Sequence, residues 1–114
     1  MKNSEQVLQR AAENIAPDLV RIRQHIHMNP ELSFQEFETS AFIKKELDQL
    51  GITWHEMAGT GVVGLITGEL AGSRVVGLRA DMDALPIVET ERRSYGSRNP
   101  GVMHACGHDV HTTC

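Results

Sequence analysis

Apolar residues recur at helical spacing through the first thirty positions of the chain. The apolar face changes partway along, so the pattern predicts a break before Pro17, a residue that the first turn of a helix tolerates. Pro30 then ends the helical segment because proline cannot continue it. The two apolar faces consist of Leu8, Ala11, Ala12 and Ile15, and then Leu19, Ile22 and Ile26.

A second helix is predicted directly after this segment. Ser33 with Glu36 three positions later has the spacing of a capping box, which opens a helix. Gly51 closes it. The apolar positions between them are spaced as on one helical face: Phe37, Ala41, Leu47 and Leu50.

Three short β-branched runs follow, ITWHEM, GVVGLITG and RVVGLRAD, separated by glycine-rich turns. ELAGS, between the second and third runs, has the length of a hairpin connection. The order of elements predicts an α/β fold in which the helices cover a mixed sheet. At 114 residues the chain is too short for two ordinary domains, so residues 1–114 form one domain or part of one.

Composition narrows the class of protein. The net charge of −4 provides no basic surface for nucleic acid. No apolar run approaches the ~18 residues of a membrane span, and the polar amino end lacks the apolar core of a secretory signal. We therefore expect neither a nucleic acid nor a membrane as partner, and the cytoplasm as location. Cys106 and Cys114 are too few for a disulfide framework, so each is a ligand or a buried thiol.

Two carboxylates follow the third predicted strand. Residues 75–78 are apolar, as in a central strand, and Asp81 and Asp83 come after them. Side chains at i and i+2 of an extended chain point to the same side, and ligands bind beyond the carboxyl ends of such strands. The alternative is that both aspartates cap a turn, and Arg79 could pair with either.

Three of the six histidines lie in the stretch MHACGHDVHTT, residues 103–113. Cys106 and His108 are two residues apart around Gly107, so a thiolate and an imidazole can converge on one metal ion. Asp109 suits the amino end of a following helix. His104 and His111 could be ligands, supporting groups or substrate contacts. A single C-x-H is a weak signal by itself, and the two aspartates strengthen it because a hydrolytic metal site needs groups that orient its ligands.

Four stretches, in this order, resemble the amidohydrolase branch of the M20 metallopeptidase family, which contains N-acyl-amino-acid amidohydrolases, hippurate hydrolases and auxin-conjugate hydrolases. They are RIRQHIHMNPELSFQEFET, TGVVGLITG, LRADMDALPIVE and NPGVMHACGHDVHTT. The resemblance implies the amino-terminal part of a zinc-peptidase-like catalytic domain. One segment departs from the family pattern: ETERRSYGSRNP, with Arg92 and Arg93 in place of a tight apolar turn.

The resemblance also implies roles for single residues. Cys106 and His108 match the family's ligands of a metal pair, and Asp81 and Asp83 match catalytic aspartates beside the site, one of which orients or tunes a ligand. Glu31 and Glu36 fall in the first matching stretch, and neither is given a catalytic role. The implied cofactor is two divalent ions, and zinc, manganese, nickel and cobalt all accept such ligands. The implied substrate is an N-acyl amino acid or a related small conjugate, with no substrate-binding residue assigned.

Family enzymes are longer than this chain. Their general-base glutamate, further metal ligands and lid domain would lie beyond Cys114, so we expect an amino-terminal fragment, without the lid, that is inactive alone. The first alternative is a non-catalytic α/β module with a structural metal or none. Thiol chemistry at Cys106 is disfavoured because no C-x-x-C is present. If the hydrolase interpretation holds, a carboxylate oxygen of Asp81 or Asp83 should lie within roughly 8 Å of the Cys106 sulfur or a His108 ring nitrogen.

Overall fold

Two helices, one β-hairpin and a short third helix follow one another along the chain. They are α1 (Lys2–Met28), α2 (Phe37–Gln49), β1 (Thr53–Met57), β2 (Gly61–Leu65) and α3 (His108–Thr113). The computed structural model describes residues 2–70 and 72–114. Within these ranges no helix is both long and apolar enough to cross a membrane.

Helix α1 is continuous, so the predicted break before Pro17 is wrong. A proline inside a helix removes one backbone hydrogen bond and leaves a carbonyl without its partner. Residues 3–18 are exposed, so water can satisfy that carbonyl and the helix can continue. The apolar side chains of this half are exposed as well, including Leu8 at 70% and Ile15 at 52%.

The predicted capping box at the start of α2 is also wrong. The N-cap residue is Glu36, which makes no side-chain capping bond. The Ser33 hydroxyl donates instead to a carboxylate oxygen of Asp83 at 2.7 Å. The Glu36 carboxylate is buried and accepts the Phe34 N–H and the Thr60 hydroxyl. Ser33 and Glu36 therefore connect loops of the fold, and neither side chain caps α2.

Glu31 caps α2. One of its carboxylate oxygens accepts the Thr39 N–H and the Thr39 hydroxyl, each at 2.6 Å, and the other accepts the Glu38 N–H at 3.1 Å. A carboxylate at this position satisfies free N–H groups of the first turn and complements the helix dipole. The role of Glu31 is therefore to fix the start of α2 against the loop that follows α1.

The sheet is a two-stranded antiparallel hairpin. Its register runs from Thr53 opposite Leu65 to Met57 opposite Gly61. The turn between the strands is made at positive φ by Ala58 (55°) and Gly59 (85°). The first two predicted strands are thus present. Each begins within one residue of its predicted start and ends at most three residues before its predicted end.

The third predicted strand is not formed, and the mixed sheet is reduced to this hairpin. In the described part of the chain, residues 72–83 have no ladder partner, and Val75, Val76 and Leu78 are 89%, 83% and 97% exposed. A β-strand requires a hydrogen-bonded neighbouring strand. The apolar run 75–78 makes the segment suited to such pairing, but it does not supply the partner. The ELAGS turn contains position 71 and lies partly outside the described residues.

The buried interior lies where the carboxyl end of α1 meets α3 and the loops around residue 84. Ile26 and Ala84, each 2% exposed, are buried here, and Pro30 is buried as well. Most of the buried side chains are polar: His27, Glu36, Thr39, Ser40, Thr60, His104 and Asp109. Five of these side chains, all except Ser40 and His104, make hydrogen bonds within the described residues, and these bonds fix their geometry.

Candidate metal centre

Backbone pairing brings the two predicted clusters together. The Leu85 N–H and the Met103 N–H each donate to the other residue's carbonyl at 3.0 Å. The Ala84 N–H donates to the Glu31 carbonyl at 2.7 Å. The two aspartates lie just before Leu85, and the HACGHD stretch directly follows Met103. Gly107, at φ 81°, then turns the chain into α3.

His108 contacts both aspartates. Its Nδ1 lies 2.8 Å from Oδ1 of Asp83 and 2.9 Å from the Asp83 carbonyl oxygen. Its Nε2 lies 3.4 Å from Oδ2 of Asp81. The expected convergence of the carboxylates with a His108 ring nitrogen is therefore observed, and at direct hydrogen-bond distance.

His111 completes a group of three. Its Nδ1 lies 2.7 Å from Oδ1 of Asp81. One ligand atom each from Asp81, His108 and His111 lies within 4.8 Å of the others. Two imidazoles and a carboxylate are a donor set that zinc, cobalt, nickel and manganese accept, so these residues fit one divalent ion. The spacing of His108 and His111, three residues apart on a helix, could have indicated this pairing from the sequence.

Cys106 is an exposed free thiol and does not belong to that group of three among the described residues. His104 is 5% exposed, and neither of its ring nitrogens has a hydrogen-bond partner in the described part of the chain. Burial lowers the pKa of His104, because a charged ring would lose its hydration there. The structure thus places His108 with the aspartates and leaves Cys106 and His104 outside that contact.

Both aspartates are held in the ionised form. The hydrogen bond from Ser33 lowers the pKa of Asp83, and the contact with His108 acts in the same direction. The hydrogen bond with His111 lowers the pKa of Asp81. Thr112 also donates its hydroxyl to the Asp81 carbonyl at 2.8 Å, which fixes the backbone beside the carboxylate. At neutral pH the group offers negative charge to a cation.

A second cluster lies behind α3, and sequence reasoning missed it. The Asp109 side chain is 1% exposed and does not cap the helix. Its Oδ2 accepts the Arg23 Nε–H at 2.8 Å and lies 2.8 Å from Nδ1 of His27. Nε2 of His27 lies 2.9 Å from Glu89. Neither Arg23 nor His27 has a local sequence signal, because each partner lies more than sixty positions away along the chain.

Opposing effects act on the Asp109 carboxylate in this cluster. Burial by itself would raise its pKa, but the hydrogen bond with His27 and the positive charge of Arg23 outweigh burial and lower it.

The loop whose sequence departs from the family pattern contributes Glu89 to this cluster. Its Oε2 accepts the Ser97 N–H at 2.5 Å. The departure therefore does not prevent an ordered loop beside α3.

Comparison with known proteins finds similarity to one peptidase family. Residues 77–114, which contain both aspartates and the HACGHD stretch, match peptidase family M20/M25/M40. A solved Bacillus subtilis protein, named a dinuclear metal binding peptidase from the M20 family, superimposes with a TM-score of 0.83 at 41% identity. That match covers 89% of this chain and 28% of the other. The resemblance to the M20 family is confirmed.

Other similar proteins match most of this chain. A putative aminohydrolase from methicillin-resistant Staphylococcus aureus has a TM-score of 0.86 at 38% identity, over 95% of this chain and 29% of its own. The N-acyl-L-amino acid amidohydrolase of Geobacillus stearothermophilus is 44% identical over 92% of this chain and 28% of its own length. The N-acetyl-L-cysteine deacetylase of Bacillus subtilis is 54% identical over 82% of this chain and 23% of its own. The chain spans about a quarter of the length of such M20 relatives.

The match to solved M20 structures also confirms the fold class. Helices and a small sheet are arranged as in part of an M20 chain, at TM-scores of 0.83 and 0.86. The difference from the sequence-based expectation is the extent of the sheet, which is limited to β1 and β2.

Proposed function

We propose that this chain forms part of an M20-like catalytic domain that hydrolyses the amide bond of N-acyl amino acids or related small conjugates. The observation that carries the proposal is the convergence of Asp81, Asp83, His108 and His111 at one place. The names of the relatives support the reaction class, because two of them are an amidohydrolase and a deacetylase of acylated amino acids.

The exposed apolar run 75–78 supports the idea that the domain is larger than the described residues. Val75, Val76 and Leu78 form a segment suited to a central strand, and their exposure would be costly in a finished domain. The relatives are several times longer than the chain, which agrees with a domain completed by further residues. We therefore assign the activity to the whole domain, with the chain as its amino-terminal part, and expect the 114-residue chain alone to be inactive.

His108 and Cys106 are the proposed metal ligands, and His111 with Asp81 can add to them. The Asp83 carboxylate and carbonyl both accept at Nδ1 of His108, so the proton belongs on Nδ1 and Nε2 keeps its lone pair for an ion. Asp83 therefore fixes the tautomer and the direction of the ring. A bound divalent ion would polarise the amide carbonyl and lower the pKa of water toward ~7.

The proposed cofactor is a pair of ions, by similarity to the relative named a dinuclear metal binding peptidase. Asp81 lies between two histidine rings, which suits a carboxylate that balances cationic charge at such a site. Zinc, manganese, nickel and cobalt all remain suited to these donors. We infer a cytoplasmic location, because two cysteines are too few for the disulfide framework of a small secreted domain.

The test is release of free amino acid from a panel of N-acetyl and N-benzoyl amino acids. It uses the longest reading frame that contains this chain, first stripped of metal by a chelator and then resupplied with each of the four ions. The proposal expects release only after a metal is restored, and none from the 114-residue chain alone. A stable protein that binds metal and releases nothing from any of these substrates would favour the non-catalytic alternative.

A further inference from the structure

Helix α3, which carries His108 and His111, is too short to be stable by itself. It contains six residues, and isolated helices need roughly 12–15 residues to be even marginal in water. Its N-cap is Gly107, which has no side chain to satisfy the free N–H groups of the first turn. The direction of both histidine side chains must therefore be fixed by contacts from outside the helix.

The Asp109 side chain provides the contact to α1. It follows His108 directly, is 1% exposed, and its Oδ2 is shared by Arg23 and His27 at 2.8 Å each. Charge-assisted hydrogen bonds of this kind are shorter and stronger than neutral ones. Because α1 is long and continuous, it gives the first turn of α3 a rigid support.

The support itself is fixed from its other side. The His27 side chain is 4% exposed, and its Nε2 lies 2.9 Å from Glu89, which also accepts the Ser97 N–H. The Tyr95 ring contacts His27 edge-on at 5.5 Å and lies against the Arg23 guanidinium at 5.0 Å. His27 thus joins the Asp109 carboxylate on α3 to the Glu89 carboxylate on a separate loop, in a buried place. Its position leaves it little freedom to reorient.

We propose that His27, assisted by Arg23, is a positioning residue for the metal centre, acting through the Asp109 carboxylate on the direction of His108 and His111. The hydrogen-bond partners of the His27 ring are Asp109 and Glu89, and among the described residues His27 is not a member of the group formed by Asp81, His108 and His111. The effect of His27 on metal binding rests on the proposed function. The anchoring of α3 by His27 is a structural claim and is independent of that function.

Two matched substitutions separate the two bonds of His27. The amide nitrogen of asparagine can take the place of Nδ1, so His27→Asn keeps a donor for Asp109. The amide nitrogen of glutamine can take the place of Nε2, so His27→Gln keeps a donor for Glu89 and loses the one for Asp109. Both variants remove the imidazole from the same buried site, so they share any general cost of its loss.

The first readout is amide hydrogen exchange in the full chain. His27→Gln should speed exchange of the Val110 and His111 amides by about tenfold or more, while His27→Asn leaves them near the wild-type rate. The amides of α2 serve as the internal control and should be unchanged in both variants. Equal exchange at α3 in wild type and His27→Gln would overturn the proposal, as would equal acceleration in α2 and α3, since His27 would then support the whole fold.

The second readout is the dissociation constant for Co²⁺, measured for the same substitutions in the longest reading frame that contains this chain. His27→Gln should weaken Co²⁺ binding by about 10 to 100-fold, and His27→Asn should restore most of it. Unchanged binding in His27→Gln would overturn the link to the metal. If the longest reading frame that contains the chain binds no Co²⁺ but the exchange contrast persists, the anchoring of α3 stands and the proposed metal function fails.

Discussion

Nδ1 of His108 lies 2.8 Å from Oδ1 of Asp83, and the same carboxylate accepts the Ser33 hydroxyl at 2.7 Å. A ring held in this way presents its Nε2 in one direction, toward Asp81. Carboxylate partners of this kind raise the basicity of a histidine ligand and fix its orientation. We therefore propose that Asp83 orients His108 and that Asp81 lies where an ion would be bound.

Replacement of Asp83 tests this division. In the longest reading frame that contains the chain, Asp83→Asn should lower kcat by about 10 to 100-fold and metal content much less, because the ring stays in place and loses its charged partner. Metal content by elemental analysis and turnover on the same sample give the comparison. A proportional loss of both would instead make Asp83 a metal ligand.

Cys106 and His108 should behave as ligands. Cys106→Ser and His108→Ala are each expected to lower metal content and turnover together, since each removes a donor atom. The chain offers a matched control in Cys114→Ser, which removes the other exposed free thiol and should change neither. Full metal content and full activity in Cys106→Ser would show that the assignment of Cys106 is wrong.

Glu31 should stabilise the fold through α2. Glu31→Ala removes the acceptor of the Thr39 and Glu38 N–H groups and should lower the free energy of unfolding by about 1 kcal/mol, as loss of a helix cap does. Urea denaturation of the chain measures the change. Glu38→Ala removes an exposed carboxylate from the same turn and serves as control. Equal effects of the two substitutions would contradict the capping role.

The pair of Arg21 and Glu46 should make stability depend on pH. Arg21 donates two hydrogen bonds to Glu46, each 3.0 Å, and these bonds lower the pKa of Glu46. A carboxylate with a lowered pKa stabilises the fold above its ordinary pKa of about 4.3, and this contribution is lost as the pH falls through the folded-state pKa.

The difference in unfolding free energy between wild type and Glu46→Gln should therefore be present at pH 6 to 7 and shrink below about pH 4. It should be small, because the Arg21 side chain is 51% exposed and water screens the pair. Denaturation curves across this range measure it. A difference that grows toward acid pH would have the wrong sign.

Local patterns predicted the helices and the hairpin well, since helical spacing and β-branched runs are properties of neighbouring residues. The predicted break before Pro17 and the predicted capping box at Ser33 were wrong, because the surroundings of each residue in the folded chain determined the outcome. Exposure lets α1 continue past Pro17, and Ser33 donates to Asp83, fifty positions away. The strand predicted at 75–78 requires a partner that the pattern of its own residues does not contain.

The candidate site was predicted in part, because only some of its residues have a signal in the local sequence. Asp81, Asp83 and His108 stood out because their residue types and spacing are those of ligand chemistry, and the structure brings them together. His111 lies at helical spacing from His108, but the sequence does not decide whether it is a ligand, a supporting group or a substrate contact. His27 was missed, because its ring is joined to carboxylates 82 and 62 positions away, and no local pattern encodes such distances.

Metal dependence tests the central claim most directly. The longest reading frame that contains the chain is freed of metal, and release of amino acid from its best N-acyl substrate is measured before and after Co²⁺ or Zn²⁺ is restored, in wild type and in His108→Ala. The account predicts no release without metal, recovery on adding it in the wild type, and little recovery in the variant. Full activity in the metal-free protein, or equal recovery in His108→Ala, would contradict it.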